Sequence, residues 1–226
     1  MQYHKFEYYV SKSRLDRFLI ACNNSHQRAQ DLYNANLKVA ESFYSILNIF
    51  EIFLRNRINE ELSLYFNDPA WIINEKNGFM SDLSLSHSNF FLKNEIYKAE
   101  NKIKRQKKTI TSGLVIAEQS FSFWTSLYDT HHYKLLSGSI IHCFPNKPNT
   151  IQRKQINGIL NEIRAFRNRV YHNEPICFSA NDICFNKAKK IRKDIYNILN
   201  WMDPDIVIYA GKFDNIQNNI REALLI

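Results

Sequence analysis

Apolar residues recur along this chain at intervals of three and four, the spacing that lines one face of an α-helix. The longest such stretch runs from His26 to about Phe66. There Ala40, Phe43, Leu47, Phe50, Leu54, Ile58 and Leu62 form a stripe, widened by Tyr44, Ile49 and Phe53. A helix apolar over so much of its circumference belongs in the middle of a core. Its opening part reads as a shorter helix to Asn34, followed by one long helix. A second stripe starts near Arg153 and comprises Ile156, Ile159, Leu160, Ile163, Phe166 and Val170. It runs out at His172, because Pro175 two residues beyond Asn173 steers the backbone away from helix.

The remaining segments follow the same period. Tyr3–Val10 reads as a short extended segment. Ser11–Cys22 reads as a short helix, with Leu15, Phe18 and Leu19 apolar and Asn23, Asn24 and Ser25 after it. Asn67-Asp68-Pro69 closes the long helix. Trp71–Leu85 then reads as a loop-rich insertion around Asn77-Gly78, anchored by Trp71, Ile72 and Phe79. Helical spacing returns over Phe90–Lys108 and again over Leu114–Tyr128, where Phe121, Phe123, Trp124 and Leu127 form an aromatic-rich core cluster. Phe144–Asn149, with Pro145 and Pro148, is a linker to the helix that begins near Arg153. Asn181–Trp201 reads as helix, with Asp182 near its start, and Asp203-Pro204 stops it. Phe213–Ile226 reads as a final helix packing back. No succession of short alternating strands is visible, and only five glycines and five prolines punctuate the 226 residues. The fold class is all-α, in one domain over residues 1–226.

Composition narrows the partners. A net charge of +8 and a pI near 9.2 point to a polyanion, with nucleic acid foremost. Cys22, Cys143, Cys177 and Cys184 are scattered without a C-x-x-C and read as reduced thiols. The opening MQYHKFEYYV lacks the basic and apolar regions of a secretory leader. No window reaches the ~18 apolar residues of a membrane span, so a cytoplasmic protein without a membrane partner is expected. His131, His132 and His142 offer neither the paired histidines of H-E-x-x-H nor a carboxylate triad. No metal site and no cofactor are expected.

The candidate chemistry lies in Asn161–Pro175, NEIRAFRNRVYHNEP. On a wheel of about 100° per residue Arg167 falls inside the apolar arc, whereas Arg164, Asn168 and Arg169 fall outside it. An arginine aimed at a core or an interface needs a partner, since an unpaired buried charge costs several kcal/mol. The planar fork of guanidinium donors suits phosphate. Arg167, Asn168 and His172 are therefore the candidate catalytic residues. The plainer alternative for His172 is a helix C-cap, with Asn173 left-handed behind it. An internal comparison supports the choice of the second site: Leu54-Arg55-Asn56-Arg57-Ile58 repeats the pattern of Phe166-Arg167-Asn168-Arg169-Val170, but has Glu60 where His172 stands. In that first copy Glu51 and Arg55, four residues apart in the favourable order, read as a structural ion pair. Lys102, Lys104, Arg105, Lys107 and Lys108 form a basic run at a helix end. It is read either as a solvated terminus suited to the helix dipole or as an RNA-binding phosphate track.

Arg167-Asn168-x-x-x-His172 near the end of a late helix resembles the R-x(4–6)-H signature of HEPN-domain ribonucleases. ANLKVAESFYSILNIFEIFLRNRINEEL, FSFWTSLY and IRAFRNRVYHNEPI, in that order, look like the Abi-like (abortive infection) bacterial proteins, a HEPN branch associated with phage defence. The similarity spans roughly Ser11 to Trp201. It implies a HEPN-like helical bundle with extra helices and loop insertions, and a metal-independent endoribonuclease. It further implies a homodimer, or higher homo-oligomer, whose motifs meet at a composite site. RNA, tRNA among it, would be cut by attack of its own 2′-OH. His172 would act as general acid or base, Arg167 would neutralise charge on the phosphorus, and Asn168 would orient the histidine or the phosphate. An antitoxin or a phage-derived activator would be a further partner. Some HEPN toxins carry a modifiable tyrosine two residues past the histidine; here that residue is Glu174, with Tyr171 on the other side. The competing reading is a non-catalytic RNA- or partner-binding helical module, a phage sensor or adaptor that works through the basic helices.

Overall fold

The computed structural model describes residues 1–226 and is all-α, with one two-stranded hairpin. The helices are α1 (Tyr3–Val10), α2 (Lys12–Ala21), α3 (His26–Phe66), α4 (Trp71–Asn74), α5 (Phe91–Arg105) and α6 (Ser112–Glu118). They continue as α7 (Phe121–Ser126), α8 (Thr130–Leu135), α9 (Arg153–Tyr171), α10 (Asn186–Met202), α11 (Pro204–Gly211) and α12 (Ile216–Ala223). Strands β1 (Phe178–Ser179) and β2 (Asp182–Ile183) pair antiparallel between α9 and α10. The chain gathers into two compact units. One comprises residues 1–49, 165–199 and 204–226, the other residues 50–164 and 200–203, and α3 and α9 each contribute to both.

The 41 residues of α3 contain no glycine or proline and, at ~1.5 Å per residue, run for about 60 Å. Phe43, Leu47, Phe50, Leu54, Ile58 and Leu62 are fully buried along it, as the periodicity requires, and Val39 and Ile46 are buried beside them, whereas Tyr44, expected to widen the stripe, is exposed. The expected interruption at Asn34 is absent. Two residues on, Asn36, only 3% exposed, accepts a hydrogen bond from the backbone N–H of Ile176 at 2.8 Å and so supplies a tertiary anchor from within the continuous helix.

With so few glycines, the chain turns at asparagine. Asn23, Asn67, Asn89 and Asn173 all have positive φ, and of the glycines only Gly138 does. Asparagine tolerates the left-handed region better than other residues with a Cβ. At the end of α3 the N–H of Asp68 reaches the carbonyl of Ser63 (3.0 Å) and that of Asn67 reaches Leu64 (3.1 Å), a Schellman closure around Asn67.

In the first unit, Tyr3–Val10 is helical rather than extended. Tyr3 stacks on His26 at 4.0 Å and Phe6 meets Tyr33 edge-on at 5.3 Å, a pairing three residues apart that only a helix allows. The helix expected from Asn181 instead begins at Asn186, because residues 178–183 form the hairpin. Arg17 lies with its guanidinium 4.4 Å over the Phe178 ring and donates to the Ala180 carbonyl, holding the turn in place. A helix not foreseen, α11, starts at Pro204, where a missing N–H costs nothing. The final helix is shorter than expected, since Asp214 Oδ1 accepts from the Ile216 N–H (3.0 Å) and sets its start.

In the second unit, the stretch expected as one helix over Leu114–Tyr128 is two. Gln119 is extended between α6 and α7, and its side-chain amide donates to the Val115 carbonyl at 3.0 Å. The insertion after α3 holds α4 and two short 3-10 turns. It is fastened by the Trp71 indole N–H on Asn59 Oδ1 (3.0 Å) and by a nearly buried ion pair, Lys76–Glu100, at 2.6 Å. Phe50 and Phe121 pack at 5.8 Å, and Arg164 donates to Thr125 Oγ1 at 3.1 Å.

Candidate functional site

α9 begins at Arg153, as the pattern requires, and Ile156, Leu160, Ile163, Phe166 and Val170 are buried along it, with Ile159 half-buried. In the first unit Phe166 packs on Phe43 with ring centres 4.8 Å apart, which fixes the rotation of the helix's last two turns. That rotation determines how the next residues face. Arg167 is half-buried, whereas Asn168 and His172 are exposed.

The helix ends in a Schellman turn. Asn173 has φ +55°, its N–H reaches the Val170 carbonyl at 3.1 Å, and the N–H of Glu174 reaches the Arg169 carbonyl at 2.8 Å. His172 is the capping residue and Asn173 the left-handed one, so the C-cap geometry expected of this end is present. Arg169 adds a second lock: it donates to the Pro175 carbonyl, and its Nε pairs with Glu174 at 3.4 Å. Glu174, two residues past the histidine, thus belongs to the helix closure. The cap leaves the imidazole of His172 in solvent, while its backbone N–H is held by the Asn168 carbonyl at 2.9 Å.

The guanidinium carbon of Arg167 lies 4.1 Å from the centre of the Tyr171 ring, and its Nη1 donates to Asn168 Oδ1 at 3.4 Å. Asn168 therefore contacts the arginine, not the histidine. Tyr171 in turn packs at 5.0 Å against Tyr44 of α3, whose hydroxyl makes a long 3.5 Å bond to the Val170 carbonyl. Tyr171 and Tyr44 are the participants that sequence reasoning missed. The available signal was the spacing of Arg167 and Tyr171 at i and i+4, which sets a side chain over the ring that follows it by one turn.

The first R-N-R copy is wired differently. Arg55 donates from its Nε to Asn56 Oδ1 (3.3 Å), a neighbour on the same helix. Glu60 pairs with Arg57 at 2.8 Å, and Arg57 also reaches Glu61 (3.6 Å) and the His142 carbonyl (3.3 Å).

At the end of α5, Lys102 pairs with Glu118, so one of the five basic side chains is held by a carboxylate. Lys104, Arg105, Lys107 and Lys108 are exposed. Lys107 takes the left-handed position (φ +57°) of another Schellman closure, in which the N–H of Lys108 reaches the Ile103 carbonyl at 3.2 Å. These cations therefore crowd the negative end of the helix dipole.

Three further histidines and two cysteines have partners or burial of their own. His132 is buried, with Nδ1 2.8 Å from the Ser126 carbonyl, and burial depresses its pKa. His131 packs on His87 at 4.5 Å, and His142 Nδ1 lies 3.3 Å from Glu61. No three His, Cys, Asp or Glu side chains gather closely enough to ligate a metal ion. Burial pushes the thiols of Cys143 and Cys177 up to about 12, which leaves them un-ionised at neutral pH. No helix is long and apolar enough to cross a membrane. Set against protein-family models, curated proteins and solved structures, the chain matches none of them.

Proposed function

We propose that this chain is a metal-independent endoribonuclease of the HEPN type, an Abi-like protein of bacterial anti-phage defence. The observation that carries the reading is the end of α9: a solvent-exposed imidazole on a hydrogen-bonded cap, one turn beyond an asparagine and an arginine whose guanidinium contacts Tyr171 and Asn168. The chemistry asks little else of the protein, because the nucleophile belongs to the substrate. The 2′-OH of RNA attacks the adjacent phosphorus, the bond to the 5′ oxygen breaks, and a 2′,3′-cyclic phosphate and a 5′-OH result. His172 would carry a proton from the attacking hydroxyl or to the leaving oxygen, a contribution of typically ~10²–10⁴-fold in rate. Arg167 would stabilise charge on the phosphoryl oxygens as it develops. In a homodimer the two copies of this helix end would form a composite site, each supplying one histidine.

A specific observation favours the second reading to a lesser degree. The exposed cations at Lys104, Arg105, Lys107 and Lys108 would suit a module that binds RNA without cutting it.

The test is cleavage of total RNA and tRNA in EDTA by the wild-type chain and by Arg167→Ala and His172→Ala, with chemical analysis of the new ends. Cleavage by the wild type alone, leaving cyclic phosphates, is the expected result. Three proteins equally inert yet binding RNA would overturn the catalytic reading in favour of the binding module.

A further inference from the structure

Tyr171 belongs to two things at once: the Arg167 contact and the wall of an open groove of about 450 Å³ in the first unit. α3 supplies Tyr44, Ser45 and Asn48 to this groove, and the end of α11 and the turn after it supply Tyr209 and Phe213. Tyr44, Tyr209 and Phe213 keep 38%, 45% and 44% of their surface in solvent. Aromatic rings gain most from burial, so a cluster left this open is suited to a ligand that completes it.

The rings are not loose. Tyr44 and Tyr171 hold each other at 5.0 Å and an interplanar angle of 60°, and Tyr209 and Phe213 at 5.4 Å and 61°. Tilted pairing of this kind fixes each ring by its neighbour. Ser45 and Asn48 are exposed beside them and offer hydrogen-bonding groups to the edge of whatever stacks there. An acyl chain would leave those polar groups unpaired, whereas a flat ring with a polar rim would use both. The Arg167 guanidinium on the Tyr171 ring and the chain's net charge of +8 favour a ligand that carries negative charge.

We propose that this groove stacks an unpaired base of single-stranded RNA beside the phosphate that Arg167 engages. The proposal rests on the ribonuclease reading for the identity of the phosphate, and it adds a specificity: unstructured RNA is preferred over duplex, because a paired base cannot enter.

The experiment uses the full chain carrying His172→Ala, so that RNA is not consumed, and a short RNA containing one fluorescent aminopurine. Duplex RNA, the same strand with an abasic site, and free adenosine monophosphate serve as comparisons. Stacking is expected to quench the aminopurine, and the single strand is expected to bind more tightly than all three comparisons. Adding Tyr209→Ala or Phe213→Ala should weaken binding roughly five- to a hundredfold for each ring removed from the stack, whereas Tyr209→Phe should not. Equal affinity for the abasic strand, or unchanged affinity in the Tyr209→Ala, Phe213→Ala double variant, overturns the base site. So does a double variant that loses only self-association by light scattering, which would make this face a contact between copies. In an otherwise wild-type background, these variants separate the two ideas. Groove-sensitive binding without any RNA cleavage keeps the base site and removes the ribonuclease. Cleavage that depends on His172 but not on Tyr209 or Phe213 does the reverse.

Discussion

The guanidinium carbon of Arg167 sits 4.1 Å from the centre of the Tyr171 ring, one helical turn further along α9. The contact places a positive charge on the negative face of the ring and keeps the planar fork from swinging freely. An arginine that must stabilise charge at a moving phosphorus gains from being held before the reaction begins. At an exposed site such a contact is worth ~0.5–1 kcal/mol, so Tyr171→Leu is expected to lower RNA cleavage about two- to fivefold, chiefly in kcat. Tyr171→Phe keeps the ring and should retain the rate. Steady-state kinetics on one RNA substrate would check both, and equal losses in the two variants would refute the orienting role.

Asn173 closes α9 with φ +55°. Glycine adopts this conformation without strain and a β-branched residue resists it. Asn173→Gly is therefore expected to leave stability within ~0.5 kcal/mol, and Asn173→Val to cost about 1–2 kcal/mol. Urea denaturation of the two variants distinguishes a backbone requirement from a side-chain one.

Asn36 holds the buried N–H of Ile176 at 2.8 Å and so ties the segment after the α9 cap to α3. Asn36→Leu fits the helix but orphans that donor, at an expected cost of ~1–3 kcal/mol. If the variant unfolds at the wild-type urea midpoint, the bond has no net value.

His132 gives a pH signature. Its pKa is depressed, first by burial, so the folded chain keeps it neutral where the unfolded chain would bind a proton. The unfolded state then holds more protons, and stability rises with pH across the window below the ordinary imidazole value of about 6.5. The contribution is complete above that value and is lost as the solution is acidified. Denaturant midpoints at pH 7.5 and pH 5.5 should therefore separate more for the wild type than for His132→Gln, and identical separations would contradict the assignment.

Lys104, Arg105, Lys107 and Lys108 distinguish a phosphate track from a solvated helix end. If they bind RNA, replacing Lys104 and Lys107 by glutamine should reduce the slope of log affinity against log salt by about 0.7 for each single-strand phosphate no longer neutralised. An unchanged slope leaves these cations the task of complementing the helix dipole.

Much of this architecture was legible in the chain. The α3 and α9 stripes are runs of apolar residues at helical spacing, and the burial of Phe43, Leu47, Phe50, Leu54, Ile58 and Leu62 on α3 and of Ile156, Leu160, Ile163, Phe166 and Val170 on α9 follows from that period. The starting point of α9 at Arg153 and the left-handed turn at Asn173 were readable because helix ends depend on local backbone chemistry. The errors arose where a partner distant in sequence overrules a local preference. Tyr3–Val10 has the aromatic content of a strand and is helical because His26 and Tyr33 receive its rings. The break expected at Asn34 is absent, and the helix that runs through it is tied by Asn36 to Ile176, 140 positions away. The hairpin at residues 178–183 is held by Arg17, which no window around Asn181 contains.

The candidate site divides in the same way. That Arg167, Asn168 and His172 occupy one helix end, that Asn173 closes it, and that the chain is basic all follow from spacing, turn chemistry and composition, which are local or additive quantities. That Arg167 rests on Tyr171 and Asn168, that His172 is exposed, and that Tyr44, Tyr209 and Phe213 come together around a groove required the folded chain. The reason is physical: a helix period fixes the angle of a side chain about its own axis, whereas which face meets solvent and which rings converge depends on how α3, α9 and α11 pack, and that is set by the burial of the core as a whole.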